Sequence, residues 1–246
     1  MDAKFSLSGK NLFITGASSG IGRACAVDFS ESGAKALLSG RDCGRLSETM
    51  ASTQNSEMFP ANLGLDTDIK KLADALPALD GAVFCAGIDK RSLVKFLPDS
   101  DISEVLNTNL VSTLRLVRAL TKSKKINKGA SLVFIASIAG IIGDAGHSVY
   151  AISKAATICL ARELAVELAS RKIRVNSVSP GLVKTPMTHD FINGDADALA
   201  ADSKKYLLGH GEASQIACAA HFLLSDAADW ITGTNIVVDG GYSCWK

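Results

Sequence analysis

The chain has 246 residues, 47% hydrophobic, 21% charged and 6% aromatic, with 26 basic against 25 acidic side chains. That composition excludes a disordered chain, and a formal charge of +1 gives no basis for binding nucleic acid or an anionic membrane. The longest uncharged stretch, 129–143, is shorter than the roughly 20 residues a membrane span needs, and the first ten residues lack the apolar core of a secretion signal, so no membrane attachment and a cytoplasmic location are expected.

Short apolar runs alternate with longer helical patterns along the chain. Strands are predicted at 11–15, 35–39, 57–61, 81–85, 131–136, 174–178 and 235–238. Helices are predicted at 20–32, 41–52, 66–76, 99–122, 149–171 and 214–225. The run Leu132-Val133-Phe134-Ile135 is apolar without alternation, as a strand covered on both faces requires. The β–α order therefore predicts an α/β fold: a doubly wound parallel sheet of Rossmann type with helices on both faces. No linker or repeat divides it, so residues 1–246 are read as one dinucleotide-binding domain. The segment 185–211 shows no clear pattern and is expected to form a substrate lid around Phe191, Tyr206, Leu207 and Leu208.

Six cysteines lack C-x-x-C spacing and are expected to be reduced, and four histidines form no H-x-x-x-H pair, so no metal site is expected.

After the first strand comes Thr15-Gly16-Ala17-Ser18-Ser19-Gly20-Ile21-Gly22, opening a helix. Gly16 permits a tight turn, Gly20 lets the backbone approach a pyrophosphate, and Gly22 allows close helix packing. The helix N-terminus offers free N–H groups and a partial positive charge to an anion. The second strand ends in Gly40-Arg41-Asp42. Arg41 suits a 2′-phosphate, which favours NADP(H) over NAD(H), while Asp42 is read as the cap of the next helix.

Tyr150 and Lys154 stand four apart near a helix start and share a face. An ammonium beside the phenol is expected to lower its pKa, so that Tyr150 exchanges a proton with a carbonyl oxygen. Ser137 follows an apolar strand, where open sheets present their ligands, and its hydroxyl is placed to hold that oxygen. Asn109 lies inside a predicted helix, where asparagine is a poor choice, and that misfit points to a function. His147, three residues before Tyr150, is expected at the substrate mouth.

These residues resemble the short-chain dehydrogenase/reductase family over nearly the whole chain. The resemblance makes Asn109, Ser137, Tyr150 and Lys154 a catalytic tetrad, with Tyr150 as acid/base, Lys154 tuning it and binding the nicotinamide ribose, and Asn109 holding a relay water. It places the cofactor against Gly16, Ser18, Ser19, Gly20, Ile21, Gly22, Arg41, Asn62, Leu63, Cys85, Ala86, Gly87, Pro180, Gly181, Val183 and Thr185, besides Tyr150 and Lys154. Three positions depart from the family pattern: Cys85 replaces the usual Asn, with some loss of local order expected; Asn62 stands for the usual Asp; and Ser19 replaces a basic residue common in NADP-preferring members.

The chain looks most like 3-oxoacyl-[acyl-carrier-protein] reductases, which implies reduction of a ketone to a secondary alcohol. An acidic carrier protein would need a basic landing site, for which Lys124, Lys125, Lys128, Arg171 and Lys172 are candidates. The alternatives are an NAD-dependent alcohol, sugar or steroid dehydrogenase and a non-catalytic dinucleotide sensor. The resemblance also implies a homotetramer built on the helices 99–122 and 149–171 and the last residues, 242–246.

Overall fold

The computed structural model describes residues 3–189 and 195–244. Phe191 of the expected lid, and Trp245 and Lys246 of the expected interface, lie outside the described residues. Seven strands form one parallel sheet: β1 (Asn11–Thr15), β2 (Lys35–Ser39), β3 (Ser56–Met58), β4 (Leu79–Phe84), β5 (Ile126–Ile135), β6 (Arg174–Pro180) and β9 (Asn235–Val238). The order is β3-β2-β1-β4-β5-β6-β9. The direction of winding reverses between β1 and β4, so the loops after these strands diverge and open a crevice at the carboxyl end of the sheet.

Side chains along β1 alternate between two cores. Phe13 joins Leu72, Leu116 and Leu164 beneath α3 (Asp66–Ala75), α5 (Ser112–Lys122) and α6 (Ser148–Glu167). Leu12 and Ile14 join Phe29 and Leu223 beneath α1 (Gly20–Glu31) and α8 (Ala213–Leu224). Both faces of the central strands are therefore dry, which accounts for the unbroken apolar run in β5. The expected doubly wound sheet is the observed fold.

The helix expected over 99–122 is divided. It comprises α4 (Asp99–Leu106), a π turn (Asn107–Val111) and α5, with the Ser112 N–H donating to the Asn107 carbonyl. A π turn inserts one extra residue and re-aims the side chains after it, and such turns concentrate at functional sites. Strand β5 starts earlier than expected because Ile126 pairs with Leu79 before a register shift brings Ser131 opposite Gly81.

Segment 185–211 is more regular than its sequence indicates. It contains a short 3-10 turn (Pro186–Thr188) and α7 (Ala196–Ser203), the latter capped by Asp195. It ends by pairing β8 (Gly211–Glu212) with β7 (Val183–Lys184). Among the described residues no helix is long and apolar enough to cross a membrane.

The basic landing site expected for a carrier protein falls at the wrong end of the sheet. Lys125 donates to the carbonyls of Asp74 and Leu76, and Arg171 donates to the Ile126 carbonyl at the start of β5. Ser137 follows the other end of this ten-residue strand, which spans about 30 Å at roughly 3.3 Å per residue. Lys125 and Arg171 close helix and strand ends instead of flanking the crevice.

Candidate active site

A cleft of about 290 Å³ runs along the carboxyl ends of β1, β2 and β4. It is lined by the glycine loop, Arg41, Asn62, Leu63, Cys85, Ala86, Gly87 and Thr185, so these expected cofactor residues lie together. Three glycines show why the loop has its sequence. Gly16 has φ +65° and a Cβ there would lie 3.0 Å from the Ala86 nitrogen; Gly20 has φ +52° and a Cβ there would lie 3.3 Å from the Thr185 side chain. At Gly22 a Cβ would sit 2.3 Å from the Gly16 carbonyl oxygen, so only glycine lets α1 start against the turn. Ser39, at the end of β2, faces this cleft with a buried hydroxyl that has no partner. A bare N-terminus of α1, a backbone cradle and an unpaired hydroxyl fit a dinucleotide's phosphates and ribose.

Asp42 behaves as expected of a cap. Its carboxylate accepts from the Arg45 backbone N–H at 3.0 Å and meets Arg45 Nε at 2.8 Å, contacts that hold it below the ordinary aspartate value. Arg41 and Arg45 both line the adjoining wall. Asn62 spends its carboxamide oxygen on the Gly64 N–H. At Cys85, Thr15 Oγ1 accepts from the N–H groups of Cys85 at 3.1 Å and Ala86 at 3.2 Å. Pro180 and Val183 line neither this cleft nor the next cavity. Pro180 pairs with Val238, and Val183 is buried in the core.

A second cavity, about 130 Å³, opens beside the first. Ser137, His147 and Tyr150 lie along it with Asp89, Arg91, Asp144, Leu182, Met187, Tyr206 and Tyr242. Met187 borders both spaces. The expected substrate residues are thus gathered at one mouth, although they come from separate stretches of the chain.

Lys154 is buried on α6, with Nζ donating to the Ile135 carbonyl at 2.9 Å and lying 5.6 Å from the Tyr150 ring centre. Burial pushes the amine down to about 8. Burial likewise pushes the Tyr150 phenol up to about 12, the Asp89 charge adds to the rise, and a hydrogen bond with Ser137 opposes it. The expected lowering of the phenol by Lys154 is therefore not seen in this arrangement: desolvation dominates, and the amine is turned to a carbonyl.

The π turn explains Asn109. Its carboxamide accepts from the Ile88 N–H at 2.8 Å, donates to the Ile88 carbonyl at 2.9 Å and donates to Ser153 Oγ at 3.0 Å. It joins the strand β4 loop to α6 one turn from Tyr150. A Cβ on Gly87 would lie 3.2 Å from Asn109 and 3.5 Å from Lys154 Nζ, so both groups border the same small space.

His147 lies at the mouth, where it was expected. It borders the cavity but is buried, and both ring nitrogens are engaged, one by Asp144 and one by Asp89. Sequence reading passed over Asp89, Arg91 and Asp144 at this mouth, and Ser39, Arg45, Thr108 and Ser112 in the larger cleft. The position of Ser39 at a strand's carboxyl end was an available signal; the others required the tertiary fold.

The model of the family described as Enoyl-(Acyl carrier protein) reductase matches residues 16–243. Nodulation protein G of Rhizobium meliloti is 35% identical over 243 residues, covering 96% of this chain and 98% of that protein. The 3-oxoacyl-[acyl-carrier-protein] reductase FabG of Rickettsia felis is 35% identical over 237 residues, covering 96% and 97%. Among solved structures, a short-chain type dehydrogenase/reductase from Mycobacterium marinum superposes with a TM-score of 0.89 at 30% identity, covering 98% of each chain. A protein from Beutenbergia cavernae, provisionally assigned as an NAD(P)-dependent gluconate 5-dehydrogenase and holding NADP at low occupancy, gives a TM-score of 0.89 at 31% identity, covering 98% and 99%.

Proposed function

This chain belongs to the short-chain dehydrogenase/reductase family of oxidoreductases, and we propose that it reduces a ketone, such as a 3-oxoacyl thioester, to a secondary alcohol with NADPH. The observation that carries the reading is the meeting of Ser137, Tyr150 and Lys154 where the dinucleotide-shaped cleft joins a small cavity. When bound, the nicotinamide supplies the hydride. The residues of this chain do the rest. The Ser137 hydroxyl holds the carbonyl oxygen, and Tyr150 delivers a proton to it as negative charge develops there. A phenol kept near pKa 12 stays protonated at neutral pH, which suits an acid in the reductive direction. Lys154 would hold the nicotinamide ribose beside Tyr150, and Asn109 and Lys154 border one small space through which a water would restore the phenol's proton.

Arg41 supports NADP(H). It lines the cleft where a 2′-phosphate would lie, and the neighbouring Asp42, whose carboxylate would otherwise attract a ribose hydroxyl, is held by Arg45. A cytoplasmic homotetramer completes the reading. The exposed Leu114 and Ile152 on α5 and α6 support the helix pairing, and light scattering giving a 25.7 kDa particle would reject it.

The test is NADPH absorbance against a panel of ketones and 3-oxoacyl thioesters. Turnover of a thioester supports the reading, whereas a panel inert with both NADPH and NADH would reject it. A second reading has its own support: the small cavity carries Asp89, Arg91 and Asp144, which favours a compact hydroxylated ketone, and a sugar-derived ketone belongs in the same panel.

A further inference from the structure

His147 sits between two carboxylates. Its Nδ1 lies 2.8 Å from Asp144 Oδ2, and its Nε2 lies 3.1 Å from Asp89 Oδ2. Ionised carboxylates only accept hydrogen bonds, and a neutral imidazole has a single N–H. Two such contacts therefore need two ring protons. The environment agrees: the hydrogen bond with Asp89 is the main influence holding this imidazole above the ordinary histidine value, burial opposes it, and Asp144 adds to the rise.

The bridge joins two loops that form the mouth. Asp89 and Arg91 follow β4, and Asp144 precedes α6; the Ser92 N–H also donates to the Gly146 carbonyl at 2.9 Å between the same loops. The charged and titratable groups around the imidazole are Asp89, Arg91, Asp144 and Tyr150, whose ring centre is 5.7 Å away. Across the cavity stand Tyr206 and Tyr242, and the charge of Lys205 interacts with Asp144. Asp89 is also the charge that most opposes ionisation of the Tyr150 phenol.

We propose that His147 is a positioning residue, an imidazolium that ties Asp89 to Asp144 across the substrate mouth and masks the Asp89 charge from Tyr150. The proposal rests on the reading of Tyr150 as the acid/base. When His147 loses a proton to solvent, its ring keeps one N–H and one carboxylate is released. Whichever contact opens, the positive charge that offsets Asp89 is lost. An unmasked Asp89 makes the phenolate costlier, so alcohol oxidation, which needs the phenolate, falls more than ketone reduction.

The test combines two measurements on the full chain with NADP⁺ bound. The first is nitrogen NMR of the histidines, with His147 assigned from His147→Gln. Both ring nitrogens are expected to carry protons at pH 6, with a midpoint above that of free histidine, and Asp89→Asn and the half-exposed Asp144→Asn are each expected to lower it. The second is the pH dependence of alcohol oxidation. The wild type is expected to lose roughly tenfold in kcat through the same midpoint, the effect of about one pKa unit on the phenol. In His147→Gln that step disappears, while KM for NADP⁺ is unchanged. A single-proton imidazole at pH 6, or a wild-type step surviving in His147→Gln, overturns the proposal. Asp144→Asn provides the NMR answer if His147→Gln does not fold. Persistent turnover in Tyr150→Phe would overturn the acid/base reading and the masking with it, a result the NMR midpoint does not imitate.

Discussion

The cleft along β1 and the mouth beside Tyr150 share a wall but are built by different means. The cleft is founded on backbone, with glycines at positive φ and the bare start of α1, to which the Ser39 hydroxyl and Arg41 are added. The mouth is made of side chains that meet only after folding: Asp89, Asp144, His147, Met187, Thr188 and Tyr206. A backbone cradle tolerates little change, whereas a side-chain mouth can be rebuilt for a new substrate without disturbing the sheet. On the proposed reading the larger cleft holds the cofactor, and the smaller cavity holds Ser137 and Tyr150 and selects the substrate.

Substitutions can break or sharpen that contrast. The largest effect is expected for Gly22→Val in the cleft. A Cβ there would lie 2.3 Å from the Gly16 carbonyl oxygen, a backbone atom that cannot yield without moving the loop. Loss of NADPH binding by fluorescence and an unfolding free energy lowered by several kcal/mol in urea titration are expected. Next comes Lys154→Met at the junction of cleft and mouth. Removing the buried amine is expected to cost about 10²–10³ in kcat by steady-state kinetics, in the range of general acid–base contributions, with the fold intact by circular dichroism. Arg41→Asp acts at the far end of the cleft. It is expected to weaken NADPH by tenfold to a hundredfold, the worth of a charged hydrogen bond, and to leave NADH unchanged by titration. Equal weakening of both cofactors would remove Arg41 from the 2′-phosphate site.

The smallest effect lies outside both regions. His221 bridges Asp28 at 2.7 Å and the Phe5 carbonyl at 2.8 Å, and the Asp28 contact raises its pKa. Because the folded value is the higher one, this contribution is full below about pH 6.5, the unfolded value, and is lost as pH rises through the folded value. His221→Gln is expected to lower stability by about 1 kcal/mol at pH 6 and less at pH 8, as measured by urea unfolding.

The same contrast explains what could be read from the chain. Strand β1 and the loop after it were legible because a local rule, strand then glycine turn then helix, forces their conformation. Asn109 was legible as a misfit, but the π turn that uses it was not, since an added helix residue depends on what its carboxamide finds on Ile88 and Ser153. His147 was legible as a resident of the mouth. Its bridge to Asp89 was not, because that residue lies 58 positions away and only the crossover connections bring it close. The basic residues at the ends of α5 and α6 misled for a related reason: charge is visible in sequence, but the end of the sheet that carries it is not.

The most direct test of the central claim measures binding and turnover separately in Tyr150→Phe. NADPH fluorescence should give the wild-type affinity, and NADPH consumption with a ketone accepted by the wild type should fall by at least about 10²-fold, within the span of a lost proton donor. Turnover within a few fold of wild type, with the cofactor still bound, would show that this phenol does not carry the proton and would contradict the account.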